Sequence, residues 1–252
     1  MNFISYPPIL DAMSVEFLRK EVEYFHPLMD KNKWIGINDE PENTIEKYIQ
    51  DSFDFHLQDK SGLWRMINPW NPQASPIGFE WWIENTENHN TITFHSNHDD
   101  NYRRANHGII KYPLLSVTTY LTNDETPTTI LDTQHGGYWE EYTNFPPTQV
   151  TFSVPEEGKL EISDPRYFRG VFNSNPNRIA LCYDVWHYKP ENLNRVGIPT
   201  NIWDCRFYKE NPEHPVDWLG ELRYGRMNLF DKTFNLKFPR THTTGETWTV
   251  NQ

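Results

Sequence analysis

The spacing of apolar residues near the start of the chain predicts a helix. Val15, Leu18, Val22 and Phe25 recur at helical intervals and form one stripe. We therefore expect a helix over residues 14–26, capped by Ser14 and ended by the proline that follows.

A second helix is predicted over residues 44–53. Asn43 and Glu46 stand at the spacing of a capping box, and the apolar positions that follow continue a helical stripe. The segment between the two helices, residues 30–42, is polar and rich in turn formers, so we expect no regular element there.

From about Gly62 onward, the pattern changes to short runs of β-branched and aromatic residues, separated by Asn, Asp, Gly and Pro. The runs that we interpret as strands are residues 79–83, 91–95, 115–121, 128–131, 149–154, 159–162 and 178–186. Strands in this number, with no helical pattern between them, predict a mainly β fold: an antiparallel sandwich, jelly roll or barrel.

The domain organisation follows from these elements. At 252 residues the chain fits a single domain, residues 1–252, because β sandwiches and barrels of this length often form one unit. We expect helices in residues 1–60 to pack outside a β core of residues 62–188. Residues 189–252 are irregular and rich in Pro, Asn and Trp, which predicts a C-terminal extension that wraps the core.

Composition excludes several classes of function. The chain has 23 Lys and Arg against 35 Asp and Glu, a net charge of −12, which argues against binding nucleic acid or an anionic membrane. Two cysteines, Cys182 and Cys205, fit a reducing cytosol better than a disulfide-stapled secreted domain. No secretory leader and no apolar run of membrane-spanning length is recognisable, so we expect a cytoplasmic protein.

The strongest chemical signal is the segment Thr-Ile-Thr-Phe-His-Ser-Asn-His-Asp-Asp, residues 91–100. Strand alternation places Thr91, Thr93 and His95 on one face and Ile92 and Phe94 on the other. His95 is therefore predicted to point with the polar face, toward the interior of a barrel.

Two pairs of metal ligands are possible in this segment. One pairs His95 with Asn97 or Asp99, and the other pairs His98 with Asp100. Imidazole with carboxylate suits a divalent metal such as iron or manganese. The competing interpretation is a polar loop of solvated side chains.

Two later strands carry polar side chains on one face. Ser116, Thr118 and Tyr120 alternate with Val117, Thr119 and Leu121, which is typical of a strand lining a polar pocket, or of a half-buried strand in an ordinary sandwich. Arg178 shares its predicted inward face with small residues, Ala180 and Cys182. It could seat a carboxylate through two parallel hydrogen bonds, or lie on the surface at a strand edge.

Taken together, residues 79–188 resemble the Fe(II)/2-oxoglutarate-dependent oxygenases, in particular their prolyl-hydroxylase-like branch. Residues 94–100 resemble the family's His-x-Asp element, and residues 116–121 its strand with a co-substrate-binding tyrosine. Residues 126–131 resemble the next strand, without the usual Gly pair. Residues 167–171 resemble the element that carries the distal histidine, with Arg178 nine positions after Arg169.

The resemblance implies a double-stranded β-helix (jelly roll) and a hydroxylase that uses Fe(II), 2-oxoglutarate and O2 on a small-molecule or peptide substrate. It implies a metal held within His95, Asn97, His98, Asp99 and Asp100, in one of the two registers. It implies 2-oxoglutarate bound by Arg178, Tyr120 and Thr118, with His95, Asp99 and position 169 at the reacting centre.

Two departures from the family pattern lead to an alternative. Arg169 stands where the family has its distal histidine, and Asn97 stands at the aspartate of the register that begins at His95. A guanidinium about 4 Å from a divalent cation is repelled by roughly 8 kcal/mol at an effective dielectric near 20. The alternative is a metal-free member that binds a dicarboxylate or a partner through Arg169 and Arg178 without catalysis.

Overall fold

The structure, a computed structural model, describes residues 3–6, 8–29, 31–54, 75–86, 92–135, 142–143, 147, 149–171, 177–207, 226–228, 235–237 and 247–249. Its α-helices are α1 (Ala12–Phe25), α2 (Thr44–Phe53) and α3 (Asp100–Ala105), and a 3-10 turn follows α1 at His26–Leu28. The strands are β1 (Phe3–Tyr6), β2 (Lys33–Gly36), β3 (Gly78–Asn85), β4 (Ile92–His95), β5 (Leu115–Tyr120), β6 (Thr128–His135), β7 (Tyr142–Thr143), β8 (Gln149–Ser153), β9 (Leu160–Ser163), β10 (Tyr167–Val171), β11 (Ile179–Trp186), β12 (Arg226–Asn228), β13 (Asn235–Lys237) and β14 (Thr247–Thr249).

Both predicted helices are present. The prediction that Ser14 caps α1 is wrong, because Asp11 Oδ1 accepts the hydrogen bond from Ser14 N at 2.7 Å and α1 begins at Ala12. For α2 the predicted cap is confirmed: Asn43 Oδ1 accepts from Glu46 N at 2.8 Å.

The strands form two main antiparallel sheets. The larger has the order β1-β9-β5-β11-β3-β2, and the smaller has the order β12-β8-β6-β10-β4, with β7 paired to β6. Side chains from both sheets line one shared cavity, so the sheets face each other. This mainly β, double-stranded arrangement confirms the predicted jelly-roll fold class.

Several elements lie where none was predicted. Strand β2 falls in the segment expected to be turns, and it pairs with β3 at the edge of the larger sheet. Strand β1 falls in the region expected to hold helices, and α3 follows β4 after residues 96–99. Strands β12, β13 and β14 fall in the extension that was expected to be irregular. Short or edge strands lack a long alternating pattern, which is why these were missed.

The main hydrophobic core lies outside the pair of sheets. Ile179, Leu181, Tyr183 and Val185 of β11 face α1 and α2 and are buried with the helices' apolar stripes. The space between the sheets is lined largely by polar and charged side chains instead. The predicted alternation of β11 is therefore confirmed, and the polar inner face positions the candidate site.

The first part of the C-terminal extension packs on the helices. Asp11 N donates to Arg206 O at 3.3 Å, and Arg206 N donates to Ser14 Oγ at 2.7 Å. Thr200 N donates to Glu42 O at 2.9 Å near the start of α2. Among the described residues, none of the helices has the length and apolar character needed to cross a membrane.

Candidate functional site

The larger sheet supplies one wall of the site. Ser116, Thr118 and Tyr120 of β5 and Cys182 and Asp184 of β11 share the inner face, and all five are buried. The two strands pair in an unbroken register, Cys182 opposite Thr118 and Asp184 opposite Ser116. The regular pairing therefore holds these polar groups at fixed positions.

The smaller sheet supplies the opposite wall, and its pairing is irregular. Arg169 of β10 pairs with His95 of β4, but two positions later Val171 pairs with Ile92. Two residues of β4, Thr93 and Phe94, thus oppose the single residue Gly170 of β10, which is a β-bulge. As a result Ile92 and His95 both line the interior, and the prediction that they lie on opposite faces is wrong.

Gly170 permits the close approach of β4 and β10. A Cβ added at this position would meet Ile92 O at 2.9 Å and the Phe94 ring at 2.9 Å. Any larger residue would push the two strands apart, so Gly170 keeps Arg169 opposite His95.

His95 lies between two cavities. It lines an inner cavity of about 10 Å³, together with Arg169 and Thr118, and an outer cleft of about 370 Å³. Its Nδ1 lies 2.8 Å from Thr93 O. Burial, and then the charge of Arg169, lower the pKa of His95, so the ring is neutral at pH 7 and its Nε2 is an acceptor.

Arg169 is a buried cation at the centre of the site. It is 9% exposed, and Nη1 donates to Thr118 Oγ1 at 3.3 Å, while Nη2 has no hydrogen-bond partner among the described residues. Burial opposes its charge, but the Glu84 and Asp184 carboxylates outweigh burial and raise the pKa of Arg169. The guanidinium therefore remains charged.

Asn97 is held by the larger sheet. Its Nδ2 donates to Ser116 Oγ at 3.0 Å and to Asp184 Oδ1 at 2.9 Å, and Ser116 Oγ donates to the same oxygen at 2.5 Å. The amide at this position donates a hydrogen bond to the buried Asp184 carboxylate. An aspartate there would instead place two carboxyl groups in contact.

The second candidate ligand pair lies at the start of α3. His98 Nε2 lies 3.0 Å from Asp100 Oδ1, and His98 Nδ1 lies 3.1 Å from Ser96 O. Asp100 also accepts from Arg103 Nε at 2.9 Å and from Arg104 Nη2 at 3.3 Å. Both ring nitrogens of His98 face oxygens, so this pair forms a local hydrogen-bonded cluster on the first turn of α3.

Asp99, expected at the reacting centre, has a structural role. Its Oδ1 accepts from Tyr102 N at 2.8 Å as the N-cap of α3, and its Oδ2 accepts from Tyr188 OH at 3.0 Å. Both carboxylate oxygens are therefore engaged. Among the described residues, no three His, Cys, Asp or Glu side chains are grouped so that they could hold a metal ion.

The residues expected to bind 2-oxoglutarate have partners within the chain. Arg178, 1% exposed, donates from Nη1 to Thr126 O at 3.0 Å and from Nη2 to Thr128 Oγ1 at 2.5 Å. Tyr120 OH lies 2.6 Å from Thr128 Oγ1 and donates to Glu161 Oε2 at 2.8 Å. Burial, and then the Glu161 carboxylate, raise the pKa of Tyr120 well above its ordinary value.

The outer cleft has an acidic and aromatic lining. Its titratable and aromatic lining residues are Glu80, Trp82, His95, His98, Asp100, His135, Phe168 and Asp184. Burial, and then Asp184, raise the pKa of Glu80 to about 7, while its oxygens accept from Asn32 Nδ2 at 2.8 Å and Trp186 Nε1 at 3.0 Å. Burial raises the pKa of Asp184 to about 6.

Four residues of the site were missed or set aside in the sequence. His135 lies beyond the predicted strand of residues 128–131, yet it is buried on β6 with Nδ1 3.0 Å from Ser96 Oγ, and burial lowers its pKa to about 3. Asp184 has the same parity as Cys182, so extending the alternation by two positions would have found it. Glu80 and Glu161 carried no signal, because charged residues in short strands usually face solvent.

Comparisons with known proteins bear on the fold. No family model matches the chain, and no curated protein matches it. Among solved structures, it is similar to a prolyl-4-hydroxylase from Pseudomonas putida, at 13% identity and a TM-score of 0.44, over 73% of this chain and 87% of that one.

Two further similar structures are a 2OG-Fe(II) oxygenase family protein from Burkholderia pseudomallei and a non-heme α-ketoglutarate-dependent carbocyclase from nogalamycin biosynthesis. The first is 11% identical with a TM-score of 0.40, covering 77% of this chain and 88% of that chain. The second is 11% identical with a TM-score of 0.45, covering 73% and 78%. The roles of residues in this chain rest on its own geometry.

Proposed function

We propose that this chain is a metal-independent binding protein on an oxygenase-like jelly roll, and that it binds a small molecule or a peptide side chain in the outer cleft. The observation that carries the proposal is the pairing of Arg169 with His95 across β10 and β4. A buried cation thus stands beside a histidine that lines both the cleft and the inner cavity.

The donor set does not fit Fe(II). The residue opposite His95 is a permanent cation, and the amide nitrogen of Asn97 points at Asp184 as a donor. The two carboxylates of the segment, Asp99 and Asp100, are engaged by α3, Tyr188 and two arginines. Within the described part of the chain, no facial arrangement of two histidines and a carboxylate is left to coordinate a metal.

The interior does not fit 2-oxoglutarate either. The inner cavity of about 10 Å³ has room for about one water molecule. Arg178 does not line this cavity with Arg169, and its partners are protein oxygens. A dicarboxylate that spans the two arginines therefore has no space in this arrangement.

The outer cleft has the size and the lining of a small-molecule site. Its volume of about 370 Å³ lies in the range of such pockets, roughly 300–1,000 Å³. Glu80, Asp100 and Asp184 supply carboxyl groups, and Trp82 and Phe168 supply ring surfaces. An amine is attracted both to carboxylates and to aromatic faces, so we propose a ligand that carries an amino group.

Metal independence is tested by titrating the purified protein anaerobically with Fe(II) and 2-oxoglutarate. We expect no visible charge-transfer band before O2 is admitted and no succinate after O2 is admitted. The double variant Asn97→Asp/Arg169→His restores a carboxylate and an imidazole, and we expect it to gain Co(II) absorbance bands that the natural chain lacks. Stoichiometric iron binding with succinate production by the natural chain would contradict the proposal.

The ligand class is tested by thermal unfolding with benzylamine and, separately, with benzoate, each in the presence of a metal chelator. The two compounds share a benzene ring and differ in charge. We expect stabilisation by benzylamine alone, increasing from pH 5 to pH 8 as Glu80 and Asp184 lose their protons. The matched variant Glu80→Gln keeps the shape of the side chain and should weaken this effect. Equal stabilisation by benzoate would rule out an amine site.

A further inference from the structure

We infer that Glu161 is a built-in carboxylate ligand that fills an anion-binding site between the sheets and keeps free carboxylates out of it. The site consists of Lys159, Tyr120, Thr128 and Arg178, which together with Glu161 we name the inner network. The inference concerns the interior and is independent of the ligand proposed for the outer cleft.

One oxygen of the Glu161 carboxylate accepts a hydrogen bond, and the other forms an ion pair with an ammonium group without a hydrogen bond. Lys159 Nζ lies 3.1 Å from Oε1, and Tyr120 OH donates to Oε2 at 2.8 Å. Lys159 Nζ is also fixed by two neutral acceptors, Ser153 Oγ at 2.6 Å and Val154 O at 2.5 Å. The ammonium group is thus held in place, and the carboxylate provides its countercharge.

Arg178 is joined to the same site through hydroxyl groups. Its Nη2 donates to Thr128 Oγ1, which lies 2.6 Å from Tyr120 OH. The hydroxyl proton of Tyr120 is used in its hydrogen bond to Glu161, so in the second hydrogen bond the Thr128 hydroxyl donates to Tyr120. The guanidinium is therefore linked to the carboxylate through the two hydroxyls, and the ammonium group lies directly beside the carboxylate.

The charges of this region are balanced with Glu161 in place. Lys159 and Arg178 are matched by Glu161 and by Asp124, whose Oδ2 lies 3.9 Å from Arg178 Nη1. The side chains of all four are at most 5% exposed, so bulk solvent screens their charges little. Removing the Glu161 carboxylate would leave one buried positive charge in excess.

The position of Glu161 makes replacement by a free ligand possible. Glu161 lines the inner cavity, so truncating it to alanine joins the space of its side chain to the existing cavity. The enlarged space would meet Lys159 and Tyr120 at the point where the carboxylate lay. A small carboxylate such as acetate then has both room and a countercharge.

The experiment compares thermal unfolding of the natural chain and of Glu161→Ala in sodium acetate and in sodium chloride at equal ionic strength. We expect the natural chain to have the same Tm in both salts. The variant should have a lower Tm in chloride and regain about 5 °C in 100 mM acetate, the size expected for a ligand well above its Kd. If the variant folds in acetate and not in chloride, the yield of folded protein is the readout.

Two further variants separate specific binding from a general salt effect. Glu161→Gln removes the charge and keeps the volume, so acetate should have no more effect than chloride. Glu161→Ala/Lys159→Met keeps the space and removes the countercharge, so the acetate effect should be lost. Failure of Glu161→Ala to respond to acetate, formate or propionate, or stabilisation of the natural chain by acetate or 2-oxoglutarate, would overturn the inference.

Discussion

The outer cleft and the inner network both lie between the two sheets, but their buried carboxyl groups have different kinds of partner. In the inner network, and at Asp124 beside it, each carboxylate has a cationic partner, and the adjoining cavity has a volume of about 10 Å³. In the outer cleft, Glu80 and Asp184 are held by neutral hydrogen-bond donors, their pKa values are raised, and the volume is about 370 Å³. The first arrangement is complete without a ligand, and the second favours an added positive charge.

This difference separates structural from functional charge. A buried ion pair contributes little net stability, but removing one partner is costly because the other is left without a countercharge. A buried carboxyl group with a raised pKa instead stores a proton, which an incoming cation can displace. We therefore expect the inner network to determine stability and the outer cleft to determine binding.

The largest effect should come from removing a cation of the inner network. Arg178→Met leaves Asp124 buried without its neighbouring charge and removes the donors to Thr126 and Thr128. We expect the free energy of unfolding to fall by about 3–5 kcal/mol, measured by urea denaturation. The control Arg104→Met, whose side chain is 65% exposed, should cost less than about 1 kcal/mol. A loss of unfolding free energy in Arg178→Met that is as small as the loss in Arg104→Met would show that the network adds no stability.

The regular parts of this molecule were predictable from the sequence, and the irregular parts were not. The stripes of α1 and α2 and the alternation of β5 and β11 follow local periods, so both helices and the inner faces of Thr118, Tyr120 and Arg178 could be placed. The bulge in β4 breaks the period of two, and nothing in the residues around His95 indicates it. The predicted site is therefore wrong at β4, where Ile92 and His95 both line the interior.

The sequence also could not show which charged residues are internal. Lys159 and Glu161 alternate with Leu160 and Ile162, which is typical of a strand with one face in water. In this fold that face is turned to the opposite sheet, so the same alternation gives a buried ion pair. Only the pairing of β9 with β5, which sets Glu161 opposite Thr118, identifies it as part of the site.

A smaller, pH-dependent effect should come from the outer cleft. Glu80 has its pKa raised from 4.5 to about 7, so between these pH values the folded chain keeps a proton that the unfolded chain has lost. Its contribution to stability therefore falls as pH rises through this window. Between pH 5 and pH 8, the free energy of unfolding of Glu80→Gln should therefore fall less than that of the natural chain, by an amount on the order of 2 kcal/mol. Urea denaturation at several pH values measures it, and parallel pH profiles for the two proteins would contradict the raised pKa.

The smallest effect is expected at the rim of the cleft, where the formal His-x-Asp pair lies. The hydrogen bond from His98, with help from Arg103, lowers the pKa of Asp100 despite partial burial, but the Asp100 side chain is 50% exposed and screened by solvent. Asp100→Asn should therefore lower the free energy of unfolding at pH 7 by less than about 1 kcal/mol, and 0.5 M salt should reduce the difference further. The depressed pKa adds its full stability above the ordinary pKa of an aspartate and loses it as the pH falls from that value toward the folded-state pKa, so the two proteins should converge only below the ordinary pKa. A large loss that a chelator reproduces in the natural chain would instead identify Asp100 as a metal ligand, and the charge balance of the cleft would then have to include that ion.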